Sequence, residues 1–402
     1  GLTQRDCRSL DYRQQQLSAN PSLAASVEAV EQFTRLQIRK ASVIANGQGI
    51  KENTPSHITI PVVVHIIYNT ASQNISDEQV LSQLEALNAD YGKTNADTAA
   101  IPGYYAPLAA DCGFTFVLAK VDTAGRATSG IIRKHTNASS FTINDDVKFS
   151  SRGGDDAWDR DRYLNLWVCN LSGSVLGYSS LVGGPRETDG VVIRSTAFGT
   201  RGTALAPYNL GRTATHEVGH WMNLIHVWGD SECGNDEVDD TPQQREATYG
   251  NPTGIVLSCG NTQYGNLYMD YMDFTDDIGM HLFTNGQRER MRTLFTQGGF
   301  RHALLSSSAA AGSGIGPVVT GGGNVPATVT EVRPNPAVGM VTVMVQDRGQ
   351  IGSLMEIYNQ VGLRVMVARV TDLSTPVNLS GLAGGVYFIR IGGGTGFKLV
   401  KM

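Results

Sequence analysis

Three histidines and one glutamate have the spacing of a catalytic metal site: His216, Glu217, His220 and His226. In a helix, residues i and i+4 lie on one face, so His216 and His220 can bind the same metal ion. Glu217 would then lie beside an open coordination position, where it can take a proton from water. We therefore predict that the three histidines bind Zn2+ and that Glu217 is the catalytic base.

His226 lies six residues after His220, so the chain must turn sharply between them rather than continue as a helix. Asn223 suits such a turn, because asparagine tolerates the left-handed backbone conformation. Two alternatives stay open. A thermolysin-like peptidase would use an acidic third ligand, such as Glu232 or Glu237. A binding protein with a structural zinc would instead have a closed site with four ligands.

The elements that would position these residues follow from the pattern of apolar side chains. Strands are predicted at 59–68, 114–121, 164–170 and 191–193, and helices at 77–91, 213–224 and 285–295. We also place near 176–180 a strand at the rim of the site that would hold the substrate extended. Because strands and helices alternate before residue 225, we expect an α/β catalytic domain, with a twisted mixed sheet and an active-site helix. Residues 1–50 are predicted to be helical, from a stripe of apolar residues at Leu23, Val27, Val30, Phe33 and Leu36.

Composition excludes several classes of protein. The chain has 402 residues and a formal net charge of −5, so two or three domains are expected and a nucleic-acid partner is not. No apolar run is long enough for a transmembrane segment. We expect a monomer. The first residues lack the apolar core of a signal peptide, so the protein is either cytosolic or already processed.

Composition also changes at residue 306. Residues 306–328 are small and poor in charge, which indicates a flexible linker. Short apolar runs separated by turns follow at 341–345, 354–358, 363–369, 386–391 and 397–400. This spacing predicts a C-terminal all-β sandwich over 329–402.

The run from His216 to His226 resembles the HExxHxxGxxH motif of metzincin metallopeptidases, with Asn223 in place of the usual glycine. The run DYMDFTDD at 270–277 resembles the pappalysin branch of that family. The resemblance implies a zinc endopeptidase domain over 52–305 that hydrolyses internal bonds of protein or peptide substrates. It also implies that Met272 forms the methionine turn beneath the zinc, with Met269 as the alternative.

The same resemblance extends to the residues after His226. It implies a disulfide between Cys233 and Cys259. It points to a substrate pocket at the pair Asp276 and Asp277, and more to Asp277, where a buried carboxylate would favour Arg or Lys just after the cleaved bond. The alternative is that both aspartates are surface turn residues. An acidic loop in this region could bind Ca2+ through oxygen ligands. The candidate ligands are Asp236, Val238, Asp239, Asp240 and Thr241.

The C-terminal region resembles the sorting domain of type IX secretion in Gram-negative bacteria. The resemblance rests on VRPNP at 332–336, LAGGVYFIR at 382–390 and KLVK at 398–401. It implies that the type IX machinery is a partner and that the protein is secreted or attached to the outer cell surface. The alternative is a generic β-sandwich binding module.

Residues 1–51 precede the region that resembles a catalytic domain, so they are predicted to be a propeptide, removed by a cut between 39 and 52. Cys7 lies in a polar segment, and its thiolate would bind zinc and block the site. Flanking Arg5 and Arg8 would favour the thiolate. Asp6 is the alternative blocking ligand. A disulfide from Cys7 to Cys112 or Cys169 is the competing structural explanation.

Overall fold

The computed structural model of the chain describes residues 4–45, 55–261, 264–310, 331–345, 354–359, 364–391 and 397–402. Most of the predicted linker at 306–328, and part of the stretch predicted to be cut at 39–52, lie outside these residues. The chain divides into two compact units. One contains Gly1–Thr123 and Thr128–Ala310, and the other contains Ala124–Ala127 and Ala311–Met402.

A mixed sheet forms the centre of the first unit. Its strand order is β2-β1-β4-β6-β5, with β3 also paired to β1, and every pair is parallel except β5 with β6. The central strand β1 is an apolar run that is buried on both faces, as is typical of a parallel sheet covered by other layers. The bounds of β1 to β6 are Ile58–Tyr68, Phe114–Leu118, Ile131–His135, Leu164–Cys169, Gly177–Ser179 and Val191–Arg194.

Five α-helices occur among the described residues of this unit. Ser76 caps α3 by accepting a hydrogen bond from Gln79 N, and Thr284 caps α5 in the same way through Gln287 N. Between α4 and α5 the described residues are mostly irregular, with two-residue strands at Tyr249–Gly250 (β7) and Phe274–Thr275 (β8) and a short 3-10 helix at Asp277–Gly279. The bounds of α1 to α5 are Ser9–Ala19, Leu23–Ala45, Asp77–Tyr91, Arg212–Trp221 and Asn285–Thr293.

The buried face of α2 differs from the predicted apolar stripe. Thr34 and Gln37 are buried and Val30 packs against the main core, whereas Leu36 is 51% exposed. The reason is that α2 docks on a partly polar surface, where Thr34 Oγ1 accepts a hydrogen bond from Asn223 Nδ2 at 3.2 Å. Helical spacing alone does not show the chemistry of the surface a helix meets.

The second unit contains two antiparallel sheets, in the orders β13-β10-β9 and β12-β11-β14-β15. Both sheets contribute to one apolar core that includes Val343 and Ile389. The predicted all-β sandwich is confirmed, although β9 and β13 were not predicted. The bounds of β9 to β15 are Glu331–Arg333, Met340–Met344, Leu354–Asn359, Arg364–Arg369, Ser374–Asn378, Gly385–Ile391 and Phe397–Lys401.

Candidate active site

The three predicted metal ligands converge at the C-terminal half of α4. His220 Nε2 lies 3.1 Å from His216 Nε2 and 3.1 Å from His226 Nε2. Together with Cys7 Sγ, these nitrogens form a group in which all ligand atoms lie within 4.8 Å of one another. Glu232 and Glu237, the alternative acidic ligands, lie elsewhere, with Glu232 at the surface and Glu237 bonded to Arg35.

Each histidine presents Nε2 to this centre because its Nδ1 is already bonded. His216 Nδ1 lies 2.6 Å from Tyr271 O, His220 Nδ1 2.9 Å from Leu224 O, and His226 Nδ1 2.5 Å from Asp230 Oδ1. Burial lowers the pKa of His220 to about 3 and that of His216 well below its usual value. Neutral imidazoles with a fixed tautomer are what a metal ion requires.

The turn that brings His226 back is held by long-range contacts. Asn223 has a φ of 70°, so it adopts the left-handed conformation that the sequence predicted. Its carbonyl accepts a hydrogen bond from Arg290 Nε at 2.7 Å, and the other guanidinium nitrogens of Arg290 bind Glu31 of α2 at 2.9 and 2.6 Å. Arg290 of α5 is fully buried and therefore links the turn and α5 to the described residues 4–45, which we call the N-terminal segment.

Met272 lies directly beneath α4. A Cβ atom at position 219 would lie only 2.5 Å from Met272 Sδ, so Gly219 permits this close packing. The backbone N–H of Met272 donates to Asp270 Oδ1 at 2.7 Å, and Gln287 Nε2 donates to the same oxygen. Met269 instead belongs to a separate apolar cluster away from the histidines.

Glu217 is buried on the cleft side of α4. Its Oε2 accepts a hydrogen bond from Ser9 Oγ at 2.8 Å, and Ser9 Oγ in turn accepts one from Ser179 N at 2.8 Å. Burial raises the pKa of Glu217 to about 7. The N-terminal segment therefore contacts the predicted base as well as the predicted ligands.

Cys7 is the fourth donor at the centre, with Sγ 3.6 Å from His220 Nε2. Cys7, Cys112 and Cys169 are all free thiols, so the competing disulfide is not formed. The expectation that Arg5 and Arg8 favour the thiolate is wrong. Arg5 binds Asp277 and Arg8 binds Asp6 and Asp11, while burial raises the pKa of the Cys7 thiol. A metal cation is the charge that can stabilise a thiolate here.

The segment around Cys7 runs along the edge strand β5 in the parallel direction. Arg8 N donates to Gly177 O at 3.0 Å, and Leu176 N donates to Asp6 O at 2.9 Å. The Asp6 carboxylate binds Ser174 and Arg8, so this alternative ligand faces away from the histidines. The backbone of the segment thus occupies the groups that β5 offers to an extended chain.

The two candidate pocket carboxylates differ in position. Asp277 is fully buried, and its Oδ1 binds the buried Arg5 guanidinium at 2.5 Å. Its Oδ2 accepts hydrogen bonds from Leu210 N at 2.7 Å and Arg212 N at 3.3 Å. Asp276 is only partly buried. An arginine of the chain itself therefore contacts one of the two carboxylates.

Cys233 and Cys259 form a disulfide, as the resemblance implied. Asp236, in the loop that follows Cys233, is buried, and burial raises its pKa to about 7. Its carboxylate accepts hydrogen bonds from Thr241 Oγ1 at 2.9 Å and Val238 N at 3.2 Å. Protein donors thus bind the first of the predicted calcium ligands.

The other two carboxylates of the loop do not join Asp236. Asp240 accepts hydrogen bonds from Thr284 Oγ1 at 2.7 Å and Gly286 N at 2.8 Å, at the N-terminus of α5. Asp239 is exposed. Among the described residues, the only group of three or more acidic, histidine or cysteine ligands is the one at Cys7 and the histidines. Calcium at this loop stays a prediction.

Comparison with known proteins identifies the family. A family model described as pregnancy-associated plasma protein-A matches residues 148–296, which contain the three histidines and Glu217. An extracellular metalloprotease of Pyricularia oryzae is 31% identical over 285 residues, which are 68% of this chain and 86% of that protein. The chain belongs to the pappalysin family of metallopeptidases. The prediction from its motifs is confirmed, and the protein is a metalloendopeptidase.

Solved structures of mirolysin from Tannerella forsythia share the fold of this pappalysin. A promirolysin mutant is 42% identical with a TM-score of 0.68, over 75% of this chain and 97% of that chain. Mature mirolysin in complex with a cleaved peptide is 47% identical with a TM-score of 0.62, over 63% of this chain and 97% of that chain. The expected metzincin-like α/β fold is confirmed.

Residues 331–402 match a secretion system C-terminal sorting domain, which confirms the type IX resemblance. The pappalysin is therefore a secreted or surface-attached protein, like the extracellular relatives of its catalytic part. In the described part of the chain, no helix combines the length and apolar character that crossing a membrane requires.

Sequence reasoning missed three residues of the site: Asp230, Ser9 and Arg290. Asp230 lies four residues after His226, and an acid at that distance from the third histidine is a signal that could have identified it. Ser9 and Arg290 had no such signal, because each acts across more than 60 residues of sequence, on Glu217 and on Asn223.

Proposed function

We propose that this pappalysin is a zinc endopeptidase in which His216, His220 and His226 bind the metal and Glu217 is the catalytic base. The observation that carries the proposal is the convergence of three imidazole Nε2 atoms next to a buried glutamate on the same helix. Three imidazole nitrogen ligands suit Zn2+, which prefers tetrahedral sites of nitrogen and sulfur donors.

The chemistry divides between the metal and the protein. Bound zinc supplies a Lewis acid that polarises the scissile carbonyl and lowers the pKa of water to about 7. Glu217 takes a proton from the attacking water as its oxygen bonds to the carbonyl carbon, and passes that proton to the amine nitrogen when the C–N bond breaks. The backbone of β5 holds the substrate extended, through the same groups of Gly177 and Leu176 that bind the N-terminal segment.

The four-donor centre also fits the alternative of a structural zinc. Family membership favours the enzyme, and the fourth donor, Cys7, comes from the N-terminal segment rather than from the domain that carries the histidines. We infer that residues 1–51 are a propeptide and that Cys7 keeps the chain latent. The promirolysin mutant matches a larger share of this chain than mature mirolysin does, which supports this inference.

A peptide digest tests the proposed function. Once the proposed propeptide, residues 1–51, has been removed, the zinc-loaded chain should cleave internal bonds of a peptide library and contain about one zinc per chain. A chelator should abolish cleavage, and added zinc should restore it. Cleavage that survives complete removal of the metal would overturn the proposal.

We further propose that Asp277 sets a preference for Arg or Lys just after the cleaved bond. Support comes from the buried ion pair between Asp277 and Arg5, because it places an arginine guanidinium on this carboxylate inside the same cleft. A desolvated carboxylate binds a cationic side chain more strongly than an exposed one. Asp276, which is partly exposed, is the weaker candidate.

We also propose that the loop containing Asp236 binds Ca2+. A divalent cation would stabilise the buried Asp236 carboxylate, whose pKa burial raises to about 7. The carbonyl oxygens of Thr241 and Val238 are the further hard ligands of the proposed site, and Val238 O accepts a hydrogen bond from Thr241 Oγ1 at 2.9 Å. Thermal unfolding of the zinc-loaded chain should shift upward with millimolar Ca2+ and less so in Asp236→Asn. An unchanged melting temperature would count against the site.

We propose the boundaries 1–51, 52–305, 306–328 and 329–402 for propeptide, catalytic domain, linker and sorting domain. The type IX machinery is the partner that the sorting domain implies. A monomer stays a prediction, which sedimentation of the full chain would check.

A further inference from the structure

Tyr12 of α1 packs in an apolar cluster with Trp167 and Tyr178, which is separate from the cluster that contains Val218 of α4. Its side chain is buried, and its hydroxyl donates a hydrogen bond to Asp145 Oδ2 at 2.8 Å. Its ring lies 5.1 Å from the ring of Tyr178, centroid to centroid. Burial raises the pKa of Tyr12, so the hydroxyl keeps the proton that it donates. We call the residues around this ring, Asp145, Lys148, Trp167 and Tyr178, the tyrosine socket.

The walls of the tyrosine socket hold one another. Lys148 is fully buried, and its Nζ lies 2.8 Å from Asp145 Oδ1 and donates to Thr188 O at 2.9 Å. The same ammonium lies 5.0 Å from the ring centroid of Tyr178 and 5.6 Å from that of Trp167. Helix α1 adds two contacts to this group, because the Tyr12 ring centroid lies 4.9 Å from the ammonium and Gln16 Nε2 donates to Asp145 Oδ2 at 3.1 Å. The other contacts of Lys148 join residues outside α1. The socket should therefore keep its shape when the N-terminal segment leaves.

The tyrosine socket is adjacent to Glu217 along β5. Tyr178 follows Gly177 in β5, and a Cβ atom at Gly177 would lie 2.9 Å from Glu217 Cγ. Cys7 at the metal centre separates the two buried anchors of the N-terminal segment, with Arg5 before it and Tyr12 after it. If Asp277 receives the residue after the scissile bond, the socket lies on the side of residues before that bond.

We propose that the tyrosine socket is a substrate subsite of the mature enzyme, which binds a tyrosine side chain located before the scissile bond. The inference rests on the proposed peptidase function and on removal of the N-terminal segment. Aromatic and aliphatic walls with one convergent polar acceptor are typical of a side-chain pocket. Asp145 Oδ2 gives the pocket a preference for a phenol over a plain phenyl ring, because a buried acceptor without its donor is costly.

Matched peptides test the subsite in the zinc-loaded enzyme from which residues 1–51 have been removed. Each series has one scissile bond and carries Tyr, Phe or Ala at one of the four positions before it. At one of these positions we expect kcat/KM to fall roughly tenfold from Tyr to Phe and further from Phe to Ala. Equal kcat/KM for the three residues at all four positions would overturn the proposal.

A pair of neighbouring variants assigns the preference to Asp145. Asp145→Asn should reduce the Tyr-to-Phe ratio of kcat/KM to about one, since a neutral amide is a weaker acceptor for the phenol. Asp146→Asn is the matched control, because Asp146 is partly exposed and binds Asn144 and Arg152 outside the socket. A ratio lowered equally by both variants would refute the assignment. If Asp145→Asn does not fold, the peptide series on the unmodified enzyme still decides.

Different results would contradict the proposed peptidase function and the proposed subsite. If the chain cleaves no peptide with zinc bound, the proposed function fails. If it cleaves peptides with chelator sensitivity but without a preference for Tyr at any position before the bond, only the subsite fails.

Discussion

The two units of the chain bury different kinds of side chain. In the described residues, the buried charged and polar side chains all belong to the catalytic unit, with the exception of Thr375. The core of the sorting domain is built from residues such as Val343, Ile357 and Leu399. Burying a charge is costly unless it is paired, so the catalytic unit must gain something other than stability from its polar core.

What the catalytic unit gains is the exact placement of α4, the helix that carries two of the predicted metal ligands. Asp189 binds Trp221 Nε1 at 2.8 Å and Arg301 Nη1 at 3.1 Å, which fixes the end of α4 just beyond His220. Asp90 binds Arg212 and Thr215 at the other end of the same helix. Buried ion pairs have directional geometry that apolar contacts lack, so they orient a helix whose ligands must meet within a few tenths of an ångström.

The largest effect on activity is expected from substituting Glu217, a buried carboxylate of the catalytic unit. Glu217→Ala should lower kcat/KM by roughly 10^2 to 10^4, the range expected when a general base is lost. Zinc content should stay at that of the unmodified protein, because the three histidines remain. Peptide hydrolysis and metal analysis together check this outcome.

Glu232→Ala is the matched control for Glu217→Ala, since the Glu232 side chain is 77% exposed. It should leave kcat/KM unchanged. Retention of more than a few per cent of the activity in Glu217→Ala would mean that another residue is the base.

A smaller effect is expected from the pocket carboxylate. Asp277→Asn should lower kcat/KM by roughly 10- to 100-fold for peptides with Arg after the bond, the cost of a lost charge-assisted hydrogen bond. Peptides with Leu there should lose much less. Asp276→Asn, next in sequence but only partly buried, should change the Arg-to-Leu ratio little. Cleavage profiles that show only apolar residues after the bond would refute the pocket.

These residues also show what the sequence could predict. His216 and His220 are four residues apart in one helix, so local geometry places them together. The preference for Asp277 over Asp276 came from the family resemblance alone, because the contact that distinguishes their positions, Arg5 with Asp277, spans 272 residues. The central strand and α3 were predictable from apolar periodicity. The buried face of α2 was not, since polar groups of the catalytic unit determine it.

Latency should respond more modestly to a single change. Cys7→Ala in the full chain should raise the initial rate of peptide hydrolysis on the order of tenfold, equal to about 1.4 kcal/mol of lost segment binding. The increase is limited because Arg5, Ser9 and Tyr12 still hold the segment in the cleft. Progress curves from freshly purified protein measure the initial rate and the lag.

Asp11→Asn is the control for Cys7→Ala, since the Asp11 side chain is 43% exposed and its ion pair is with Arg8 of its own segment. Its lag should match that of the unmodified chain. If Cys7→Ala shows the same lag too, the thiol is not what keeps the enzyme latent.

The smallest effect on peptidase activity is expected from removal of the sorting domain. A chain that ends at Ala310 lacks the sorting domain but keeps every buried charged group of the catalytic unit. Its kcat/KM should stay within about twofold of that of the full chain, because the groups that position the site are all retained. Export should fail instead, since the sorting domain at 331–402 is gone. Activity of the purified protein and its distribution between cells and medium measure the two outcomes separately. A truncated chain that is exported normally but is inactive would contradict both assignments, of catalysis to the first unit and of export to the sorting domain.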